Sequence, residues 1–358
     1  MLSYGKKEML ANRLFRGYSP GQCYRSVMEV VLWLPLSEIV LTLELLSKNW
    51  QRLITSKELW ETLILRDIEN VDLKDACSFS SLRVAYKAFY VRKNYLYFWK
   101  HRENSIALYS PADNSLRAIH FTGLKDLDCT SSFLYLKDGR LLSCGGRGGM
   151  VMGMAMYSRS VYIVDLYQAT LERKRDMRER KSDMELVEMN RAVYCFGGHN
   201  IRKTTSVEQC NTQDFTWEKS GEMPSAQSVI SAVALRNKIY LACQPANRLQ
   251  AYDPEQQTFT TLVLLPTSFI KGLSILEASE WILFQDTKNA MIIKLSDASI
   301  RLIRLNNEYE LDIDQAFGIR LKNKVYFVSH DQDKEVGGVY ALDLSNFQIT
   351  ASRLFGSY

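Results

Sequence analysis

Short apolar runs recur along most of the chain at nearly even spacing. NYLYFWK, GRLLSCGG, AVYCFGG, KIYLACQ, EWILFQD and KVYFVSH share one shape, with Tyr97, Leu142, Tyr194, Tyr240, Ile282 and Tyr326 at their second apolar positions. The intervals average about 46 residues, a period that marks a repeat architecture. Downstream of each run stands another short strand: SIALYSP, SVYIVDL, SVEQCNT, RLQAYDP, MIIKLSD and GVYALDL. These end at the turn residues Ser110, Asp165, Asn211, Asp253, Ser296 and Asp343. Six residues beyond each turn residue lies an apolar side chain: Leu116, Leu171, Trp217, Phe259, Leu302 and Ile349. A constant offset in six places predicts one turn design, followed each time by a strand with an inward side chain.

Further strands complete the unit. KAFYVRKN, SFLYLKDG, SAVALRNK and FGIRLKNK precede the tyrosine-bearing runs across polar turns such as Arg236-Asn237 and Lys322-Asn323, as hairpins do. TTLVLLP, RLIRLNN and QITASRLF follow as fourth strands. Four antiparallel strands, six times over, predict a mainly β chain: a six-bladed β-propeller over residues 85–358. The blades fall near 85–124, 125–181, 182–227, 228–270, 271–314 and 315–358. Each sheet has faces it cannot bury alone, and a ring supplies the neighbours. The last blade reads as complete from its own residues, which predicts closure by packing of blade one on blade six.

Blade three reads VYCFGGHN and then SVEQCNTQDFTW, with Gly197, Gly198 and, six residues past Asn211, Trp217. This resembles the kelch-repeat family, whose pattern is a diglycine after the second strand and a tryptophan after the third. Blade two keeps Gly145 and Gly146 but has Leu171 in place of the tryptophan. Blades one, four, five and six lack the diglycine, and Gly337-Gly338 is out of phase and expected in a loop.

Before Leu82 the period gives way to helical spacing. Val27, Val30, Val31 and Leu34 form one apolar face, broken at Pro35-Leu36. Ser37 then caps a helix carrying Ile39, Val40, Leu43, Leu46 and Trp50, and a further short helix opens near Ser56. The string MEVVLWLPLSEIVLTLELLSKNWQRLITSKELWETL resembles an F-box through Leu34-Pro35-Leu36, Ser47-Lys48-Asn49-Trp50 and Leu59-Trp60. The family's opening Leu-Pro-x-Glu is not intact, and Ser19-Pro20 stands near its place. The organisation expected is an extension over 1–18, a small α-helical F-box-like domain over 19–70, a linker over 71–84 and the propeller. The resemblance implies docking on a Skp-type adaptor of a cullin–RING ubiquitin ligase through Leu34, Pro35, Leu36, Ile39, Leu43 and Trp50. A helical cap that only packs is the competing reading of these residues.

Composition excludes several classes. The 45 Lys and Arg against 40 Asp and Glu give a formal net charge of +5, too dilute for a nucleic-acid-binding face. Seven cysteines cannot all pair, and Cys144, Cys195 and Cys243 sit in apolar runs as small hydrophobes, which points to a reducing compartment. No signal-peptide core opens the chain, and Val27–Leu46 carries Glu29, Glu38, Glu44 and Pro35, a poor membrane span. The expected location is the cytoplasm, with the nucleus open. Phosphate-loop and nucleophile-elbow motifs are absent. His101, His199 and His330 recur nearly in phase, yet loop histidines are far commoner than ligands. No metal, cofactor or catalytic residue is therefore expected.

One patch of charge stands out. Blades two and three load one face with Arg147, Arg159, Arg175, Arg178, His199, Arg202 and Lys203, within or beside the segment LERKRDMRERK. Across the ring NEYELDID brings Glu308, Glu310, Asp312 and Asp314, and HDQDKE adds acid. Sign segregation creates a directed potential, and arginines bind carboxylate and phosphate bidentately. The expected occupant is a protein or peptide substrate, acidic or phosphorylated; a merely solvated charged surface is the alternative. Two functions follow: a non-catalytic substrate adaptor of a ubiquitin ligase, or a kelch scaffold for cytoskeletal or signalling partners.

Overall fold

The protein is described by a computed structural model at residues 57, 60, 61, 63, 86, 95–100, 105–121, 131–136, 140–151, 154–166, 170–226, 228–245, 247–266, 271–274, 280–286, 288–309, 311–312, 319–321, 323–331 and 336–355. The chain divides into two compact units, Met1–Tyr90 and Val91–Tyr358. In the first, Lys57, Trp60, Glu61, Leu63 and Tyr86 are helical. Lys57 and Glu61 pair one turn apart at 3.4 Å. Trp60 and Leu63, on the other side of that turn, are buried, and Trp60 meets the ring of Tyr86 at 5.6 Å. Leu34, Pro35, Leu36, Ile39, Leu43 and Trp50 lie outside the described residues.

The second unit is mainly β. Among the described residues it holds six antiparallel sheets of three or more strands in chain order, besides two two-stranded ribbons. The first sheet comprises Leu96–Lys100, Ser105–Ser110 and Ser115–His120. Ser132–Tyr135, Leu141–Cys144, Val161–Asp165 and Thr170–Arg173 form the second. The third comprises Glu185–Met189, Ala192–Phe196, Ser206–Asn211 and Trp217–Glu222. Ser228–Leu235, Lys238–Gln244, Arg248–Asp253 and Thr258–Leu264 form the fourth, and Lys271–Ser274, Glu280–Phe284, Asn289–Lys294 and Ser299–Arg304 the fifth. The sixth joins Ile319–Leu321, Lys324–Asp331, Val336–Asp343 and Ile349–Phe355. Leu311–Asp312 pairs with the far end of its second strand, Asp312 opposite His330, which ties the two acidic segments together.

The inner strands of these sheets are apolar on both faces because each sheet packs against neighbours on either side, whereas the last strands are largely exposed. In the third sheet, Ala192, Tyr194 and Phe196 face the fourth, while Val193 and Cys195 face the second. Similar clusters join sheets one and two, four and five, and five and six. A further cluster sets Leu96, Ala107 and Tyr109 of the first sheet against Val328 and Val339 of the sixth. There the Arg353 guanidinium also donates to the carbonyl of Asn114. Cys144, Cys195, Cys210 and Cys243 are buried free thiols, packed as hydrophobes.

The turn before the last strand repeats in detail in sheets one, three, four, five and six. Asn114, Phe215, Gln257, Ala298 and Phe347 all take positive φ between 54° and 56°. Side-chain oxygens of Asp113, Asp214, Asp297 and Asn346, each just before the positive-φ residue, accept the amide two residues on, closing Asx turns. Leu116, Leu171, Trp217, Phe259 and Ile349 pack in the inter-sheet clusters as their spacing requires. The fifth repeat needs correction. Its paired residues are Lys294 with Ser299 and Ile293 with Ile300, so the packing position is Ile300 and not Leu302. Leu302 is 57% exposed; the apolar run MIIKL hid a two-residue shift. Gly337 and Gly338 are also not in a loop. They lie in a strand, where a Cβ on Gly338 would come within 2.9 Å of Leu354.

Among the described residues, no helix is long and apolar enough to cross a membrane.

Candidate basic face

Sheets two and three differ from four and five in the connection between their second and third strands. Residues 145–160 and 197–205 are long enough to fold into ribbons of their own, Arg147–Val151 with Met154–Tyr157 and His199–Asn200 with Arg202–Lys203. Both ribbons start at a diglycine with positive φ: 61° and 118° at Gly145-Gly146, 63° and 100° at Gly197-Gly198. That backbone is needed because the segment joining the two sheets passes directly beneath. A Cβ at Gly145 would strike the carbonyl of Lys181, and one at Gly198 would lie 2.8 Å from that of Ser182. Glycine therefore lets three pieces of backbone meet.

They meet through hydrogen bonds. The Gly146 amide donates to Lys181 O at 3.0 Å, and the Lys181 amide donates to Ser158 O at 2.9 Å. Ser182 and His199 exchange both backbone bonds, at 3.0 and 2.8 Å. The two ribbons touch where the Tyr157 hydroxyl lies 3.4 Å from His199 Nδ1. Arg147 is opposite Tyr157 in its own ribbon. The two touching ribbons thus carry Arg147, His199, Arg202 and Lys203, with His199 half-buried and the other three exposed.

Beneath that surface lies a buried ion pair that sequence reasoning missed. Lys181 Nζ is 2.8 Å from Glu208 Oε1, with the two side chains 0% and 1% exposed. Lys181 also donates to Ser206 Oγ at 3.1 Å, and Ser206 donates to Glu179 Oε2 at 2.7 Å. The other Glu208 oxygen, Oε2, accepts the Arg178 amide at 2.8 Å. Burial by itself lowers the pKa of the Lys181 ammonium, but Cys195, Glu208 and Glu179 beside it outweigh that and raise it. Burial likewise pushes the Cys195 thiol up to about 12. A run of alternating charges reads as solvated loop, and only a single glutamate inside the apolar strand SVEQC signalled a partner for it.

The remaining predicted cations divide. Arg159 is held by Asp176 at 3.2 Å, and Arg173 shares that carboxylate at 3.1 Å. Arg175 reaches the field of Asp214, whose carboxyl is held low first by Thr216 hydrogen bonds and then by this cation. Arg178, with its backbone pinned by Glu208, keeps its side chain in solvent. Arg178, Arg202 and Lys203 make no ion pair among the described residues. No three His, Cys, Asp or Glu side chains among the described residues are grouped to hold a metal. No protein-family model and no curated protein matches the chain.

Proposed function

We propose that the protein is a substrate-recognition adaptor of a Skp–cullin–F-box ubiquitin ligase. In this reading the six sheets are the blades of a closed kelch-type propeller. The cyclic order of the clusters, one to two through five to six and six back to one, supports that geometry. The F-box-like segment docks on the Skp-type adaptor through Leu34, Pro35, Leu36, Ile39, Leu43 and Trp50. Pro35 fixes its own φ and biases Leu34 away from the helical region, which sets the angle between the two helices. The propeller supplies proximity and orientation for chemistry done by other subunits. Its substrate is an acidic or phosphorylated protein segment seated on the basic face.

The observation that carries the substrate half is the trio Arg178, Arg202 and Lys203, unneutralised on a surface that hydrogen bonds hold in place. The test is affinity purification of the full chain from cells, with Leu34 and Leu36 replaced by aspartate in a parallel sample. Skp-type adaptor and cullin should accompany the unaltered chain and be lost from the variant. Arg202→Glu should keep both subunits and lose acidic partners. Absence of the ligase subunits alongside retained acidic partners would make the protein a kelch scaffold instead.

A further inference from the structure

Among the described residues, large apolar side chains left in water fall into two sets. Leu262, Leu264, Leu302 and Leu354 lie along the last strands of sheets four to six, as isolated surface hydrophobes commonly do. Met156 and Ile201 lie on the two ribbons of the basic face. Ile201 is the more unusual. It is 81% exposed at the tip of the 199–203 ribbon, with φ at 55°. A β-branched residue in the left-handed region is an outlier, and glycine or asparagine takes that position far more readily. Asn200 stands one place away, in the ladder instead of at the tip.

The frame around the tip is firm. His199 is bonded twice to Ser182, and the Thr204 amide donates to Gly198 O at 3.1 Å. Among the described residues the isoleucine side chain stays mostly in water, yet the backbone holds it out at some strain. Strain of this kind collects where a surface meets a ligand. The neighbouring residues define what that ligand carries, since Arg202 and Lys203 follow Ile201 directly and Arg178 lies on the joining segment whose Ser182 is bonded to His199.

We propose that Ile201 is an apolar anchor, and that its occupant is an extended peptide segment with one apolar side chain between acidic or phosphorylated residues. The apolar side chain packs on Ile201 while carboxylates or phosphates engage Arg178, Arg202 and Lys203. The inference rests on the reading of this face as a substrate surface and deepens it, since charge alone would accept any acidic segment. A paired requirement, one apolar residue inside an acidic run, is what separates a specific partner from the many acidic tails in a cell.

The full-length protein is titrated against labelled short peptides by fluorescence anisotropy. One carries leucine between runs of aspartate and glutamate, a second has glycine in its place, and a third has phosphoserine for the flanking aspartates. The leucine peptide should bind roughly tenfold more tightly than the glycine peptide, the worth of one buried aliphatic side chain. Ile201→Gly should erase that preference and leave the glycine peptide unchanged. Glycine suits a φ of 55°, so the melting midpoint should not fall, and Ile201→Asn gives the same result with a side chain retained. Arg202→Glu should weaken all three peptides. Equal affinity for leucine and glycine peptides, or a preference that survives Ile201→Gly, overturns the anchor and leaves the basic surface standing. Failure of every peptide to bind, with or without binding to phosphatidylserine vesicles, overturns both.

Discussion

The seam between sheets two and three and the seam between sheets four and five solve one packing problem with different materials. In the second case Val233, Ala242, Leu249, Trp281, Leu283 and Met291 fill the gap, and shape complementarity does the work. The first seam is also apolar at its centre, around Leu142, Val193 and Cys195. At one edge, however, it encloses Lys181 and Glu208 and threads the joining segment under two diglycines. A hydrophobic seam tolerates small slips of one sheet on the other. A buried charge pair with Ser206 and Arg178 as further partners accepts one arrangement, so the ribbons above it are held in register. Specificity of the surface is built underneath it.

The largest expected effect breaks that pair. Lys181→Met leaves Glu208 buried without its cation and should cost about 3–5 kcal/mol in denaturant unfolding. The double variant with Glu208→Leu should return most of the loss, because buried ion pairs and apolar isosteres are nearly equivalent in stability. Its ribbons should then lose their fixed register, read as faster amide exchange at Ser182 and His199. Met291→Ala in the other seam should cost about 2–5 kcal/mol from lost volume, with no second substitution that rescues it. The pair also has a pH signature. The folded pKa of Lys181 is raised, so its contribution is complete below the unfolded lysine value of 10.5 and fades as pH rises through the folded value. Stability of the unaltered chain should fall above that pH more steeply than that of Lys181→Met.

The diglycines come next. Gly145→Ala and Gly198→Ala each force an L-residue into positive φ against backbone carbonyls, which should cost on the order of 1–3 kcal/mol for the strain alone. Gly338→Ala should cost less, because its φ lies outside the left-handed region; its Cβ would meet a flexible Leu354 methyl at 2.9 Å and the Arg353 carbonyl at 3.0 Å, a looser approach than at Gly145 or Gly198. If Gly338→Ala proves the more damaging, the threading account of the first seam is wrong.

Much of the β unit was legible because two signals reinforce each other: an apolar run every repeat, and a turn residue with a packed side chain six positions on. Tyr109 with Leu116 and Tyr252 with Phe259 show why, since the offset is the ladder register itself. The fifth repeat misled because MIIKL has no polar punctuation, and Ile300 and Leu302 are both apolar; only burial tells them apart. Gly337-Gly338 misled because glycine signals either a turn or a close approach, and sequence does not say which. On the basic face, Arg202 and Lys203 were readable as exposed cations. The capture of Arg159 by Asp176 and the burial of Lys181 were not, because both partnerships depend on how the joining segment folds back on Ser158.

The smallest expected effect tests whether the contrast between the seams is confined to the ribbon side. Asp214 in sheet three and Asp297 in sheet five sit in equivalent turns, and both carboxyls are held below the ordinary aspartate value, first by hydrogen bonds from Thr216 and Ser299. A lowered folded pKa contributes stability above the unfolded value of 3.8 and loses it as pH falls through the folded value. Asp214→Ala and Asp297→Ala should therefore lower the melting midpoint slightly and to the same extent at neutral pH. Both differences from the unaltered chain should vanish in strong acid. Added salt should separate them faintly, because Arg175 acts on Asp214 and Lys294 on Asp297 from different elements, the one across the seam and the other within its own sheet. If Asp214→Ala is much the more harmful at neutral pH, polar coupling runs through the whole first seam, turn side included, and the register of the ribbons is set from both edges.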